Sequence, residues 1–288
     1  MTMKKILILF LLVLFLTSCN IIGGKKDNGL IATNFKTGTD GLEVEIVEGV
    51  PPDEIYEGNS FGIGLKIHNK GAYDVNNGQI RIAGFNEEYT TLDRWQSELG
   101  LLEGKSITAP DGDYYIEEFQ GDNKNIPEGA SEYIEKFFIY VDYDYETEAN
   151  TDICINPNFY DIKSSLESCE PTKTVSFSGQ GAPVAITKVE QVVSPESGNQ
   201  VKLQFKLTIK NKGSGKVLGP IIVDEVKIAN RRLQCSPREI DLEKDDTVVC
   251  SGTQSLQGAY ITPFSAKLYY TYQTKTSNKL TIKSLKVS

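Results

Sequence analysis

The chain has one histidine and one tryptophan among 288 residues, and its five cysteines form no C-x-x-C pair. Zinc centres are assembled from closely spaced Cys and His, so this sequence has almost nothing from which to build one. A Ser-His-acid hydrolase would have to rely on His68 alone. Basic residues are scarce as well, with 30 Lys and Arg against 39 Asp and Glu and a formal net charge of −9. Nucleic-acid binding draws most of its affinity from concentrated basic surface. No such run is present, and nucleic acid is excluded as a partner. Sustained helical periodicity is missing throughout, and long apolar stretches are missing with one exception.

That exception is at the start. Lys4 and Lys5 precede an unbroken apolar run, Ile6 to Leu16, followed by Thr17, Ser18 and Cys19. A membrane span needs about 20 apolar residues, and this run is shorter. It has the length of a signal-peptide h-region, roughly 7 to 15 residues. The ending "LTSC" resembles a lipobox, where the signal is cut just before a cysteine that receives a diacylglyceryl group. Residues 1–18 are therefore read as a lipoprotein signal peptide, Cys19 as the lipidation site, and 19–41 as the lipidated cysteine with a polar, Gly-rich tether. The expected location is the outer face of the cytoplasmic membrane or cell surface, held by lipid. Two acyl chains anchor stably where one binds only reversibly.

Beyond Cys19 only Cys154, Cys169, Cys235 and Cys250 remain. An even number in an exported chain points to disulfides. Four cysteines permit three pairings; the two intervals of fifteen residues make Cys154 with Cys169 and Cys235 with Cys250 the economical choice. Closing a loop of that size stabilises by about 3 kcal/mol on the chain-entropy view.

The chain repeats itself. "FGIGLKIHNKG" (61–71) returns as "LQFKLTIKNKG" (203–213) at an offset of 142, and "YDYETEANTDICI" (143–155) returns as "YTYQTKTSNKLTI" (270–282) at an offset of 127. Apolar residues alternate with polar ones in both copies, the period of a strand with one buried face. Asn-Lys-Gly ends the strand in each, and Asn and Gly tolerate the left-handed backbone of tight turns. The pattern predicts an all-β fold of two tandem antiparallel sandwiches. They are placed at 42–178, with an insertion near 91–119, and at 179–288. One short helix is expected in the insertion, from the spacing of Leu92, Trp95 and Leu99.

The alternating strands with N-K-G endings resemble the immunoglobulin-like sandwiches of prokaryotic surface proteins, in particular the CARDB (cell-adhesion-related) group. "YDYETEANTDIC", "GQGAPV" and the lipobox together resemble uncharacterised archaeal surface lipoproteins. The resemblance implies that the two tandem antiparallel β-sandwiches are immunoglobulin-like and that the protein has a surface location, and it brings no catalytic residues.

Three features invite a chemical reading. "GNSFG" (58–62) fits the G-x-S-x-G nucleophile elbow, but that motif needs a helix after the serine. Here a strand follows Ser60, and His68 falls about 26 Å further along it. Along "FFIYVDYDYETE", Asp142, Asp144, Glu146 and Glu148 share the outward face, about 7 Å apart. Such a row needs neutralising by Ca²⁺, by basic side chains of an adjacent strand, or by water. Trp95, Tyr114 and Tyr115, all in the insertion, form either a binding platform or core. "DGDYY" (111–115) opens like a calcium loop but lacks the spaced ligands of one.

The reading is a non-enzymatic, lipid-anchored surface protein for adhesion, envelope scaffolding or partner binding, with an envelope protein or glycan as the expected partner. No cofactor is expected apart from Ca²⁺ on the acidic strand. The alternative is a lipoprotein that recognises a glycan, peptide or Ca²⁺ through its first domain.

Overall fold

The computed structural model describes residues 35–156, 169–197, 200–255 and 258–285. Cys19, the signal segment and the tether as far as Asn34 lie outside the described residues. The fold is all-β: the described residues form seventeen strands and no helix. The first half of the chain contributes β1 (Leu42–Ile46), β2 (Glu54–Tyr56), β3 (Ser60–Asn69), β4 (Gly78–Ala83), β5 (Thr90–Leu92), β6 (Gln96–Leu99), β7 (Tyr114–Asn123) and β8 (Glu132–Ile155). The second contributes β9 (Thr174–Ser176), β10 (Val184–Pro195), β11 (Gln200–Asn211), β12 (Lys216–Ile228), β13 (Arg231–Arg232), β14 (Gln234–Ser236), β15 (Glu239–Ile240), β16 (Thr247–Ser255) and β17 (Tyr260–Lys283).

Each half has its own small sheet, ordered β1-β3-β7-β5 in the first and β14-β16-β11-β10-β9 in the second. The opposing layer is common to both: one sheet runs β13-β12-β17-β8-β4-β6. β8 and β17 pair antiparallel over their whole length, from Glu132 opposite Lys283 to Ile155 opposite Tyr260. The alternation in the sequence decides the layers. Phe137, Ile139, Val141 and Tyr143 of β8 are buried, as are Phe264, Ala266, Leu268 and Tyr270 of β17. Phe137 stacks on Phe85 at 4.7 Å, and Phe205 of β11 meets Phe264 at 5.4 Å, so both ends of the shared sheet carry a core.

The repeat acquires a physical meaning at the seam. Tyr143 lies opposite Tyr272 and Tyr145 opposite Tyr270, so the repeated Tyr-x-Tyr pairs with its own copy about an approximate local two-fold. The contacts of these phenols also repeat. The Leu42 N–H donates to Tyr143 Oη at 3.0 Å, and the Val184 N–H to Tyr270 Oη at 3.4 Å. Tyr145 Oη donates to Asn69 Oδ1 at 3.2 Å, and Tyr272 Oη to Asn211 Oδ1 at 3.0 Å. Those two hydroxyls accept in turn from the N–H groups of Tyr73 and Gly215. Burial raises the pKa of all four phenols, which keeps them protonated and able to donate.

Asn-Lys-Gly is therefore a docking point for a tyrosine. The glycine serves close approach and not backbone handedness, since neither Gly71 nor Gly213 has a positive φ. A Cβ at Gly71 would stand 2.0 Å from Tyr145 Oη, and one at Gly213 would stand 2.5 Å from Tyr272 Oη.

Three local expectations change. Residues 92–99 are not helical. Thr90–Leu92 pairs with β7 and Gln96–Leu99 with β4, so non-local pairing outweighs three residues at helical spacing. β7 is not an insertion without counterpart. Lys66 and Thr208 are equivalent at the offset of 142, and their partners Ile116 and Thr247 differ by 131, so most extra residues lie before β7. The end of the tether is part of the fold: Gly38 O accepts from the Gly181 N–H at 2.9 Å, and Gly41 O from the Lys70 N–H at 3.0 Å. The joining segment 178–183 is equally engaged, with Gln180 buried and bonded to both the N–H and the C=O of Ile186.

Candidate functional site

The acidic row lies on the outward face of the shared sheet, and cross-strand neighbours take up its charge. Glu146 meets Lys267 Nζ at 2.9 Å, and Asp144 accepts from Thr271 Oγ1 at 2.7 Å. Asp142 accepts from Gln273 Nε2 at 2.6 Å and stands 3.9 Å from Arg81. Glu148 pairs with Lys36, whose ammonium also lies over the Tyr73 ring. Lys36 holds the Glu148 carboxyl below the usual range against an opposing desolvation effect. Lys267, Thr271 and Gln273 are the outward residues of the second repeat copy, and the register makes them direct partners of the first. Among the described residues no group of three or more His, Cys, Asp or Glu is arranged to hold a metal ion.

The three insertion aromatics are divided between two places. Trp95 is half-buried against the core, 6.4 Å from Phe85. Tyr114 and Tyr115 begin β7 and are 57% and 37% exposed. Tyr114 stands edge-on to His68 at 6.4 Å with Lys66 over its ring, while Tyr115 Oη donates to Glu117 at 2.6 Å. Glu117 is buried and also receives Arg94 at 2.8 Å; desolvation raises its pKa, and these donors lower it further than burial lifts it. What faces solvent is a small patch of Tyr114 and Ile116, without the tryptophan.

Ser60 and His68 occupy opposite ends of β3. Ser60 Oγ donates to Asp122 at 2.6 Å, and His68 Nε2 bonds Asp111 O at 2.8 Å. The "DGDYY" segment is a turn in which Gly112 has φ +78°, and a Cβ there would strike Asn69 O. The disulfides are Cys154–Cys169 and Cys235–Cys250, the latter between directly opposed residues of β14 and β16.

Glu135 stands apart from the outward acids. It occupies an inward position of β8, is 3% exposed, and accepts from the Asn86 N–H at 3.2 Å. Its Oε2 and the hydroxyl of the buried Thr90 interact without forming a well-aligned hydrogen bond. The signal was in the sequence, since Glu135 shares the parity of Phe137, Ile139 and Val141. Desolvation raises its carboxyl pKa. A carboxyl whose pKa is raised by folding stabilises at low pH, and that contribution is lost as pH rises through the folded value. Glu135→Gln removes the buried charge while keeping the shape of the side chain. We expect it to raise stability at neutral pH by about 1 kcal/mol and to flatten the decline of melting temperature between mildly acidic and neutral pH. An unchanged pH profile would show that Glu135 is not the group responsible.

A groove of about 520 Å³ opens over the seam, lined by Asp74, Asn77, Asp144, Leu218, Ile222 and Tyr269 among others. β12 breaks register with β17 between Leu218 and Ile222, and Gly219 takes φ +74° there. The bulge leaves Ile222 and Tyr269 uncovered, 44% and 38% exposed.

Comparison with known proteins identifies a prokaryotic membrane lipoprotein lipid attachment site over residues 3–20. No curated protein matches the chain. Similar solved structures include the secreted serine protease VesC from Vibrio cholerae, at 9% identity and TM-score 0.23, covering 83% of this chain and 51% of that one. The chain thus spans about half the length of VesC. The E. coli chaperone DraB is similar at 10% identity and TM-score 0.20, covering 78% and 86%. The collagen adhesin of S. aureus is similar at 11% identity and TM-score 0.14, covering 87% and 94%. None of these likenesses decides the fold, which rests on the strand register. The chain is a lipoprotein with an all-β, disulfide-bonded body.

Proposed function

We propose that this protein is a non-enzymatic, CARDB-like surface lipoprotein, anchored through lipid at Cys19, that presents a rigid sheet to partners in the envelope. The observation that carries the reading is the attachment site at residues 3–20 on a chain whose two halves share one sheet. A strand of 24 residues has a contour of about 80 Å, which suits a scaffold that sets distance from a membrane. The separation of Ser60 from His68 along β3 supports the non-enzymatic part. The exposed Tyr114 and Ile116 favour a partner that touches the first half, a protein or a glycan, over a cation held by the acidic row.

Cys19→Ala tests the anchor. In a bacterial or archaeal host that processes lipoproteins, the full chain should fractionate with membranes and the variant should move to the soluble fraction. Undiminished membrane retention of the variant would overturn lipid anchoring at this cysteine.

A further inference from the structure

One end of the shared sheet is basic on its outward side. There β2, β17, β8 and β4 lie side by side, and between the rows of Glu132 and Tyr140 their outward positions hold Lys136, Lys275, Lys279, Lys283 and Arg81 against two carboxylates, Glu54 and Glu132. Lys283 meets Glu54 at 2.9 Å and stands opposite Glu132, and Arg81 is 3.9 Å from Asp142 in the next outward row. Lys136, Lys275 and Lys279 are exposed, and among the described residues they have no carboxylate within salt-bridge distance. Half-buried Phe138 supports two of them, with Lys275 Nζ 4.1 Å and Lys136 Nζ 5.2 Å from its ring centroid. The same end carries two apolar side chains that are more than half exposed, Ile134 and Tyr56. Surplus cations and exposed apolar groups thus share one end of the sheet.

We propose that this end of the sheet docks on the anionic headgroups of the membrane that holds the lipid, an inference that rests on anchoring at Cys19. The length of the connecting chain permits it. Phe35 is sixteen residues beyond Cys19, a stretch that reaches at most about 55 Å when extended. It joins the body where Lys36 pairs with Glu148, about 40 Å along β8 from Lys136. The lipid can therefore sit beneath the basic end. Tethering also keeps headgroups at high local concentration, so a weak contact suffices. Net acidity of the chain does not oppose this. With the sheet standing on its basic end, the rows of Asp144 to Glu148 lie about 13 to 26 Å past Tyr140, further than the Debye length of about 8 Å. Glu146 and Glu148 are in any case paired with Lys267 and Lys36. Lysines near a headgroup surface and a partly buried Ile and Tyr are the two contributions that hold peripheral proteins at an interface.

The test places the full lipidated chain in vesicles of phosphatidylcholine, or of phosphatidylcholine and phosphatidylglycerol in equal parts, and follows lysine acetylation by mass spectrometry. In the mixed vesicles Lys136, Lys275 and Lys279 should react more slowly by roughly fivefold or more than in phosphatidylcholine. About 0.5 M NaCl should remove the difference. Lys202, Lys206 and Lys210 of β11, exposed on another sheet, should react alike in both. Lys136→Glu, Lys275→Glu and Lys279→Glu together should abolish any lipid-dependent protection of Tyr56 from hydroxyl-radical oxidation. The wild-type comparison keeps the idea falsifiable if that variant folds poorly. Equal acetylation of the three lysines in the two vesicles overturns the proposal, as does protection that includes the β11 lysines or that persists in salt. Protection by inorganic pyrophosphate without vesicles would overturn it too, and assign the cations to a soluble anion. Flotation separates the anchor from the face. A chain that does not float with phosphatidylcholine vesicles yet is protected in the mixture would overturn the anchor and support the docking.

Discussion

Gly71→Ala should lower the stability of the full chain by about 3 kcal/mol, the upper part of the range for overpacking a closed site, and its melting temperature by roughly 6 to 12 °C. The added methyl would lie 2.0 Å from Tyr145 Oη, 2.7 Å from Asp40 O and 2.8 Å from Gly181 O. Two of these neighbours are backbone, and the third is the end of a ring held by Asn69 and Tyr73, so none can withdraw cheaply. Relaxing the clash would undo the docking of β8 on the turn after β3 and loosen the segment that joins the halves. Gly213→Ala meets the equivalent hydroxyl and Pro183, and should be damaging for the same reason. Gly100 has open space around it and supplies the control, since Gly100→Ala should leave the melt within the usual scatter of surface changes. If thermal unfolding followed by circular dichroism gave Gly71→Ala and Gly100→Ala the same midpoint, the tyrosine-docking role of Asn-Lys-Gly would be wrong.

The repeat was legible because alternation and turn residues are local signals. Phe61, Ile63, Leu65 and Ile67 are buried as their spacing requires, and so are Leu203, Phe205, Leu207 and Ile209. What alignment could not reveal is adjacency. Equivalence of Tyr143 with Tyr270 says that two strands are alike; it does not say that they are hydrogen-bonded neighbours. Lys267, Thr271 and Gln273 could thus be read as residues that replace the acids in a second domain, while the register makes them partners of those acids. Propensity assigns the glycine of Asn-Lys-Gly to a turn, yet its nearest determinant is a phenol far along the chain. Trp95 precedes β6, which pairs with β4, whereas Tyr114 begins β7, which pairs with β3, so the two aromatics are carried by different sheets. Each of these gaps has one cause, the dependence of sheet neighbours on pairing between distant segments.

That pairing makes the halves thermodynamically inseparable, which sets the second expectation. Phe205 is fully buried in the second half, 5.4 Å from Phe264 of β17. Phe205→Ala should leave a cavity and cost about 3 to 5 kcal/mol, a fall in melting temperature on the order of 10 °C for a chain of this size. The direction is unremarkable for a core truncation; the shape of the transition carries the information. β17 gives its first half to the core beneath β11 and its second half to the core of the first repeat, where Leu280 and Ile282 are fully buried. Strand β2 from the first half is hydrogen-bonded to the last residues of β17. Unravelling the second half therefore strips the first of a full sheet neighbour and exposes a long strand edge. Its remaining sheet could not cover its own apolar face. The lesion in the second half should accordingly shift a single cooperative transition, with tyrosine fluorescence near the seam and far-ultraviolet dichroism moving together. Two independent sandwiches would respond differently, with one early transition for the damaged half and one at the wild-type midpoint for the other. A calorimetric trace that separates into those two peaks would refute the shared-sheet coupling and restore the picture of beads on a tether.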